Sequence, residues 1–454
     1  MSEEEATPVR LAPHPTESDP EAWKTYWVGR GQPWRTEPEI SAERKAELTK
    51  SRGIAPNIEK GIYPFKGMRL KRADIEWLLA THDAGRGPVD WGDESQRDRP
   101  GLDLRGADLR SVNLSRLPLA SMCGGGRYWT YGTFEQHEGA LTHFEGASFA
   151  SAHLEGASLA YSHLDMADFS SAHLERADLY RAHLAGAWFA NAHLEGAGLK
   201  EAHLEGASLS AAHVAGANLR NAFFDHGTKL KALVLANKEL GAALLADVHW
   251  GDVNLAAVSW SAVKLLGDED MARQKTYKGK VKGRDRRQRD YDDAVRANRQ
   301  LAIALQAQGI NEDAARFNYR AQNLQKRFLW FQVTQFDVPF RQRVKLLGAW
   351  LFSCFLFLLA GYGYKLSRSF LAYLLIISGF ATAYYLLGRS VGPMLSPLGA
   401  LVFSMTSFHG RGFFPGNHVL LDDPLTVLAA FEALVGLIIE VTFIATLTQR
   451  FFGK

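Results

Sequence analysis

The chain has 454 residues, with 52 basic against 49 acidic side chains, 46% hydrophobic and 11% aromatic residues, and a mean hydropathy of −0.16. These averages exclude an intrinsically disordered chain, a collagen-like repeat and a strongly basic nucleic-acid binder, so no nucleic-acid partner is expected. They also conceal a cancellation: the formal net charge is −2 over residues 1–100, −8 over 101–270, +11 over 271–345 and +2 over 346–454. Two cysteines, Cys123 and Cys354, are too few for a disulfide framework and fit a reducing compartment.

Residues 1–99 open on a polar leader with neither a basic start nor an apolar core, which predicts no secretory signal and a cytoplasmic N-terminal two thirds. A helix is predicted in SAERKAELTKSRG, with Ser41 as N-cap and Gly53 as stop, and another in RADIEWLLATHDAGRG, where Ile75, Leu78 and Leu79 share a face. We read this region as a cap, because stacked repeats leave an edge that pairs with other chains unless covered. It holds no nucleophile elbow, phosphate loop or metal-spaced cluster, and nowhere do an acid, a base and a nucleophile converge. The chain is therefore not read as an enzyme, and no cofactor is expected.

From Phe144 to Phe224 a large apolar residue stands at every fifth position, seventeen times without a slip. Two positions before each stands a small residue, as at Ala147, Ala152 and Ala157 through Ala222, with Thr142 the exception. Leu104, Leu109, Leu114 and Leu119 keep the frame upstream; Leu230, Leu235, Leu240, Leu245, Trp250, Leu255 and Trp260 resume it downstream, shifted by one residue. A period of five fits neither a helix nor a flat strand, whereas a coil whose successive sides each send one large and one small side chain inward keeps all of them in one core. The pattern resembles the pentapeptide-repeat family. That resemblance implies a right-handed quadrilateral β-solenoid over 100–262, with four repeats per coil and about seven coils, hence a rod of roughly 34 Å at the ~4.8 Å spacing of adjacent strands. Residues 120–140 break the pattern and are expected to bulge out as a loop.

A ten-residue period lies over the five: His143, His153, His163, His173, His183, His193, His203 and His213 fill the outward slot before the central apolar residue. Four repeats per coil sort them into two ladders on opposite faces. Surface stacking is the first reading, a pH-sensing ladder the second and metal binding the last, since zinc needs close ligands in a tetrahedral array; no metal site is assigned. Stacked imidazoles resist simultaneous protonation, so acid is expected to strain the rod.

Between Arg273 and Arg289 nine basic residues accompany one acid, Asp285. Residues 263–289 are read as a basic linker, either solvated or in contact with anionic lipid. Helices predicted at about 290–307 and 312–331, the second with Asn311 as N-cap, form a cytoplasmic helical hairpin and connector over 290–345.

Three apolar stretches, 346–363, 370–387 and 425–447, are each long enough to cross a bilayer. Between the last two, Ser396 as N-cap and Pro397 at N1 mark the start of a short helix, and Gly410 and Gly412 end it in permissive backbone. This layout over about 366–450 resembles the two-transmembrane pore-loop channels related to potassium channels. By position, the resemblance places the pore loop and selectivity filter at Thr406, Ser407, Phe408, His409, Gly410, Arg411, Gly412 and Phe413, and the inner helix at 431–437. It implies a homotetramer, with inorganic ions and the lipid bilayer as partners. The family's Thr-Val-Gly-Tyr-Gly filter is absent, and His409 and Arg411 intrude.

Glu432, Gly436, Glu440, Ile444 and Thr448 follow at four-residue steps and are read as pore-lining or gating positions, with Gly436 the hinge. Charges inside a membrane are costly and default to function. Arg411 is expected to turn from the axis and pair with Glu432; the other reading is a ring of arginines at the pore. Arg341, Arg343 and Lys345 precede the first apolar stretch, and Lys365 and Arg368 follow it, so the positive-inside rule makes both of its ends cytoplasmic. Residues 346–366 are thus expected to form an interfacial or re-entrant helix, and 367–454 the channel module, of a multi-pass inner-membrane protein with both termini cytoplasmic. The expected fold class is multidomain: a pentapeptide-repeat β-solenoid, an α-helical hairpin and an α-helical transmembrane pore domain. The expected function is an oligomeric ion channel; the alternative is a membrane-anchored scaffold whose acidic solenoid binds a protein partner.

Overall fold

The computed structural model describes residues 14–15, 19–57, 60, 62–125, 141–277, 279–334, 339–391, 395–410 and 424–452. The chain divides into two compact units, one of Met1–Lys282 with Arg296–Gln308 and one of Gly283–Val295 with Gly309–Lys454. It is multidomain, with a repeat solenoid in the first unit and a helical second unit.

In the first unit, α1 (Pro20–Val28), α2 (Ala42–Arg52), α3 (Arg72–Ala80) and the single turn α4 (His82–Gly85) precede the solenoid. Ser41 caps α2 by accepting from the Arg44 amide, and Gly53 ends it. The segment after α2 lies on the solenoid's first edge as an extra rung. Leu70 N donates to Asp108 O at 3.1 Å, and Asp108 N returns a bond to Met68 O at 2.9 Å. Arg72 fastens α3 by donating to the carbonyls of Asn113 and Ser115, while its guanidinium pairs with fully buried Glu76. An open strand edge is thereby covered.

Each corner of the solenoid is a four-residue turn closed by a bond such as Ala147 N to Phe144 O, 2.9 Å. The third turn residue takes positive φ, as at Gly146, Gly156 and Gly196 but also at Ser151, Tyr161 and Arg181. That is the geometry of a type II turn, which favours glycine at this place. Parallel bridges join residues one coil apart, His143 to His163, His183, His203 and then Phe223, every twenty residues. Seven rungs run through Asp103, Cys123, Ser158, Asp178, Gly198, Asn218 and Leu244. Inside, Phe149, Phe169 and Phe189 stack with centroids 4.9 Å apart and rings within 4° of parallel. The small alanines between them are fully buried. Thr142, the exception among the small residues, spends its hydroxyl on Leu104 O at 2.9 Å.

The register changes twice after Phe224. Spacing becomes 21 at Ser208 to Lys229, then 26 at Asn218 to Leu244. The added residue sits in the turn where Asp225 accepts from the Gly227 and Thr228 amides. The next five leave the coil as a hairpin of β1 (Ala236–Asn237) and β2 (Gly241–Ala242). Leu240 is therefore not a core unit, as its spacing suggested; it is 45% exposed near the hairpin tip. Asp108 bridges His143 across 35 residues, 15 more than one coil; of the bulge expected at 120–140, residues 120–125 instead stay in the coil, with Cys123 bridging Asp103 and Ser158, and 126–140 lie outside the described residues.

Trp250, Leu255 and Trp260 close the core at the far end. There α5 (Gly267–Arg273) inserts Asp268, which accepts from the Leu245 amide and pairs with Arg220. The division between units falls within α6 (Arg284–Ala307). The later part of α6 satisfies the solenoid's last edge: Gln300 accepts from Asp247 N, and Gln308 accepts from Leu255 N while donating to Val253 O. Within the basic stretch between α5 and α6, β3 (Thr276–Tyr277) pairs antiparallel with β4 (Lys280–Val281).

In the second unit, the first half of α6 packs against α7 (Asn311–Val333), with Tyr291 and Arg287 on Phe331. The N-cap of α7 is Ile310, so Asn311 is its first helical residue rather than its cap. Next comes α8 (Phe340–Ala360), which runs back along α7: Trp330 lies on Trp350 at 4.8 Å, Lys326 on Phe357 at 3.4 Å, and Asn318 donates to the Tyr364 hydroxyl. Gly361 and Tyr362, both left-handed, turn the chain into α9 (Leu366–Val391). Arg368 donates to Phe357 O across that turn. The short α10 (Pro397–Phe408) and the long α11 (Pro424–Phe452) complete the unit. Three helical segments, Phe340–Ala360, Ser367–Gly388 and Pro424–Ala445, are long and apolar enough to cross a membrane, which points to membrane association.

Candidate functional site

The sequence starts α10 as expected, with Ser396 accepting from the Gly399 amide and Pro397 at N1. One face of α10, made of Ala400, Phe403, Ser404, Ser407 and Phe408, is buried against α9 and α11. The other face leaves Leu398, Val402 and Met405 exposed. The helix runs two residues beyond Thr406, so Thr406, Ser407 and Phe408 are helical rather than filter loop, and the Thr406 hydroxyl bonds back to the Val402 and Phe403 carbonyls. His409 ends the helix and Gly410 takes φ 66°. Arg411, Gly412 and Phe413 lie outside the described residues.

Glu432, 0% exposed, accepts from the Tyr384 hydroxyl at 2.6 Å and from the Ser404 hydroxyl at 2.5 Å. Its carboxylate is thus held among α9, α10 and α11, not turned to open space. The expected Arg411 partner lies outside the described residues. Gly436 is buried under the end of α10, where an added Cβ would stand 2.0 Å from the Phe408 carbonyl oxygen. Absence of a side chain lets the two backbones meet, so Gly436 carries a close-packing role where a hinge was expected. Glu440, one turn on, bonds His409 Nδ1, and His409 Nε2 faces the Tyr373 hydroxyl at 3.3 Å. Beside this pair lies a cavity of about 280 Å³ lined by Ser369, Phe370, Tyr373, Ile439 and Phe443. Ile444 and Thr448 are exposed. The four-residue stripe is thereby split: its first two members face the chain's own helices, its last two face outward.

The histidines form two columns, as their spacing predicted. In one, His143, His163, His183 and His203 stack at 4.9–5.4 Å and the series continues through Phe223 to His249. In the other, His153, His173, His193 and His213 stack at 4.8–5.0 Å. Their surroundings differ. Glu155 bonds His153 Nδ1 at 2.9 Å and raises that imidazole above its ordinary value. Burial lowers His163, with His183 and His143 adding to the effect and Glu145 and Asp165 opposing it. His153 and His163 are thus shifted in opposite directions.

The family model for pentapeptide repeats matches in eight copies, over residues 141–176, 177–213 and 189–225. The solenoid is a pentapeptide-repeat domain. It is similar to a pentapeptide repeat protein from the Arabidopsis thaliana thylakoid lumen, at 32% identity over 22% of this chain and 68% of that one, TM-score 0.15. It is also similar to Rfr23 from the cyanobacterium Cyanothece, at 24% identity over 32% and 90%, TM-score 0.13. HetL, a pentapeptide repeat protein involved in heterocyst differentiation regulation in Nostoc, gives 20% identity over 41% and 82%, TM-score 0.16. Scores this low carry no argument of their own, and the assignment rests on the matched repeats. Among curated proteins no sequence matches the chain.

Two features of the pentapeptide-repeat domain escaped the sequence reading. One is the glycine two places after the central residue, at 146, 156, 186, 196, 206 and 216, which the turn geometry favours; the recurring Glu-Gly-Ala was its visible signal. The other is the burial of the glutamates flanking the histidines, whose positions, as at Glu155 and Glu205, are visible in the sequence. Glu145, Glu155, Glu175, Glu195 and Glu205 each keep one buried carboxylate oxygen without a hydrogen-bond partner among the described residues.

Proposed function

We propose that this chain is an oligomeric membrane ion channel, a tetramer by analogy of layout, in which α9, α10 and α11 form the pore module and the pentapeptide-repeat domain stays cytoplasmic. The observation that carries the reading is α10: a capped apolar helix of 12 residues wedged between two membrane-length helices, its C-terminal end seated on a glycine and followed by left-handed Gly410. A membrane anchor has no need of such an element. The partial negative charge at a helix C-terminus favours cations where the chain leaves α10. In this reading His409 and Gly410 stand at the narrowest part, and Glu440 sets the charge beside it.

The topology proposed has α8 lying at the inner membrane surface, with both chain termini cytoplasmic. It is supported by α7, which runs along the length of α8 and carries Arg316, Arg320, Lys326 and Arg327. An α8 that crossed the bilayer upright would draw those cations in with it, at several kcal/mol each. The basic residues of 273–289 suit contact with anionic headgroups. Purified protein in liposomes should give discrete currents whose reversal potential follows a cation gradient, and Glu440→Gln should weaken that cation preference. Absence of any ion flux would remove the channel reading. A membrane-anchored scaffold, favoured by the net charge of −8 over 101–270, predicts that null result together with a partner retained by the solenoid.

A further inference from the structure

We propose that the column of His153, His173, His193 and His213 is a binding track for divalent transition ions of the zinc type, with two sites per chain. Glu155, His173 and Glu175 form one site; His193, Glu195 and His213 form the other. In each triad the donor atoms lie within 4.8 Å of one another. The fold fixes this, because parallel bridges hold His153, His173, His193 and His213 on successive rungs.

The distances suit an ion. Two ligands on one tetrahedral zinc, each about 2.1 Å away, stand about 3.4 Å apart. Glu195 Oε1 lies 3.6 Å from both His193 Nδ1 and His213 Nδ1, and Glu175 Oε1 lies 3.2 Å from His173 Nδ1. A small rotation of each ring would bring its nitrogen onto a shared ion.

The burial of the carboxylates is the second observation, strongest at Glu155; Glu145 and Glu205 on the opposite column share the unpartnered oxygen among the described residues but belong to no triad of close donors. Glu155 is only 7% exposed, and its Oε2, like that of Glu175 and Glu195, is buried with no hydrogen-bond partner among the described residues. The cap contributes to this burial, since Trp91 lies against Gly156, where an added Cβ would meet the ring at 2.5 Å. Three such carboxylates on consecutive rungs repel one another and lack full compensation. Divalent cations between the rungs would remove both penalties. Imidazole with carboxylate and no thiolate selects zinc, nickel or copper over magnesium and calcium. Histidine side chains 37–42% exposed leave room for a solvent ligand to complete the shell.

The opposite column is the internal control. Asp165 already accepts from the Ala185 amide at 3.1 Å, and Ala185 itself stands where the next rung would need its acid. The triad His163, Asp165 and His183 therefore has a weaker claim on an ion despite similar spacing.

The test uses the full chain in detergent, with any affinity tag removed, stripped by chelator and titrated with Zn²⁺. Bound metal is counted by elemental mass spectrometry, and Co²⁺ is substituted to read ligand-field bands. We expect two ions per chain and tetrahedral cobalt bands, falling to one ion in His193→Gln/His213→Gln and to none in Glu155→Gln/Glu175→Gln/Glu195→Gln. His163→Gln/His183→Gln should keep both. A wild-type count below two, two ions retained in the His193 and His213 variant, equal loss on changing His163 and His183, or Mg²⁺ competing at equal concentration would each overturn the proposal. The glutamate variant is isosteric, so circular dichroism matching wild type keeps its result interpretable.

Discussion

In the solenoid core most buried side chains have a similar one a coil away: Phe149, Phe169 and Phe189 stack on one another, alanine lies under alanine, and outside the core the histidines form columns of their own. In the helical unit the buried contacts differ from one another among the described residues. Glu432 meets Tyr384 and Ser404, and Gly436 meets the Phe408 carbonyl, each an arrangement found once. The difference teaches where stability resides. A repeat shares it among equivalent rungs, whereas the helical unit concentrates it in single pairs that no neighbour can replace.

Four measurements would break or sharpen this contrast. Phe169→Ala removes the middle ring of the stack with Phe149 and Phe189 and should destabilise the solenoid by about 3–5 kcal/mol. Denaturant titration followed by near-ultraviolet circular dichroism reads it, and a loss below about 1 kcal/mol would show that neighbouring rungs relax into the gap. Gly436→Ala should cost about 1–3 kcal/mol through overpacking against Phe408. Its control is Gly379→Ala in α9, where nothing lies within 4 Å and helix propensity predicts a gain of up to about 1 kcal/mol. Equal thermal shifts for the two would erase the close-packing role of Gly436.

Tyr384→Phe deprives buried Glu432 of one donor and should lower stability by about 1–3 kcal/mol, with Tyr384→Phe/Glu432→Gln partly restoring it. If the double variant is as unstable as the sum of its parts, the two side chains are not coupled. The smallest effect separates His163 from His153 in metal-free protein. His163 is lowered below its ordinary 6.5, so its contribution is present above about that pH and is lost as pH falls towards its folded value. His153 is raised, under Glu155 first and then Glu175 and Asp90, so its contribution is present below 6.5 and is lost as pH rises through its folded value. His163→Gln should therefore flatten the acid side of a stability profile and His153→Gln the neutral side. Identical pH profiles for the two variants would contradict this.

The repeat was legible because its cause is local. A five-residue period, a small residue two places before each large one and histidines every ten all follow from one coil geometry, and each rung restates them. The reading failed where local chemistry overruled the period. Leu240 keeps the spacing, yet Asn237 accepts from the Glu239 and Leu240 amides and Gly241 takes φ 74°, making a hairpin that lifts Leu240 out of the core. Those turn residues were visible and outweighed a leucine in phase. In the helical unit, Ser396 and Pro397 announced α10, since capping is also local. The role of Glu432 was not readable, because its partner Tyr384 lies 48 residues away and spacing along one helix says nothing of what faces it from another. Gly436 was read as freedom and serves as contact for the same reason.

The corner-by-corner construction of the rod makes its length a counted quantity. Excising residues 164–183 would join His163 to Leu184 and set Phe149 directly on Phe189 and His153 on His193, shortening the rod by one ~4.8 Å step with both columns unbroken. Removing five residues would keep large and small side chains in phase with the core, yet advance everything downstream by a quarter of a coil and scatter the histidines onto other faces. The chain can thus change length in whole coils and orientation in quarter coils, two adjustments that its sequence encodes separately.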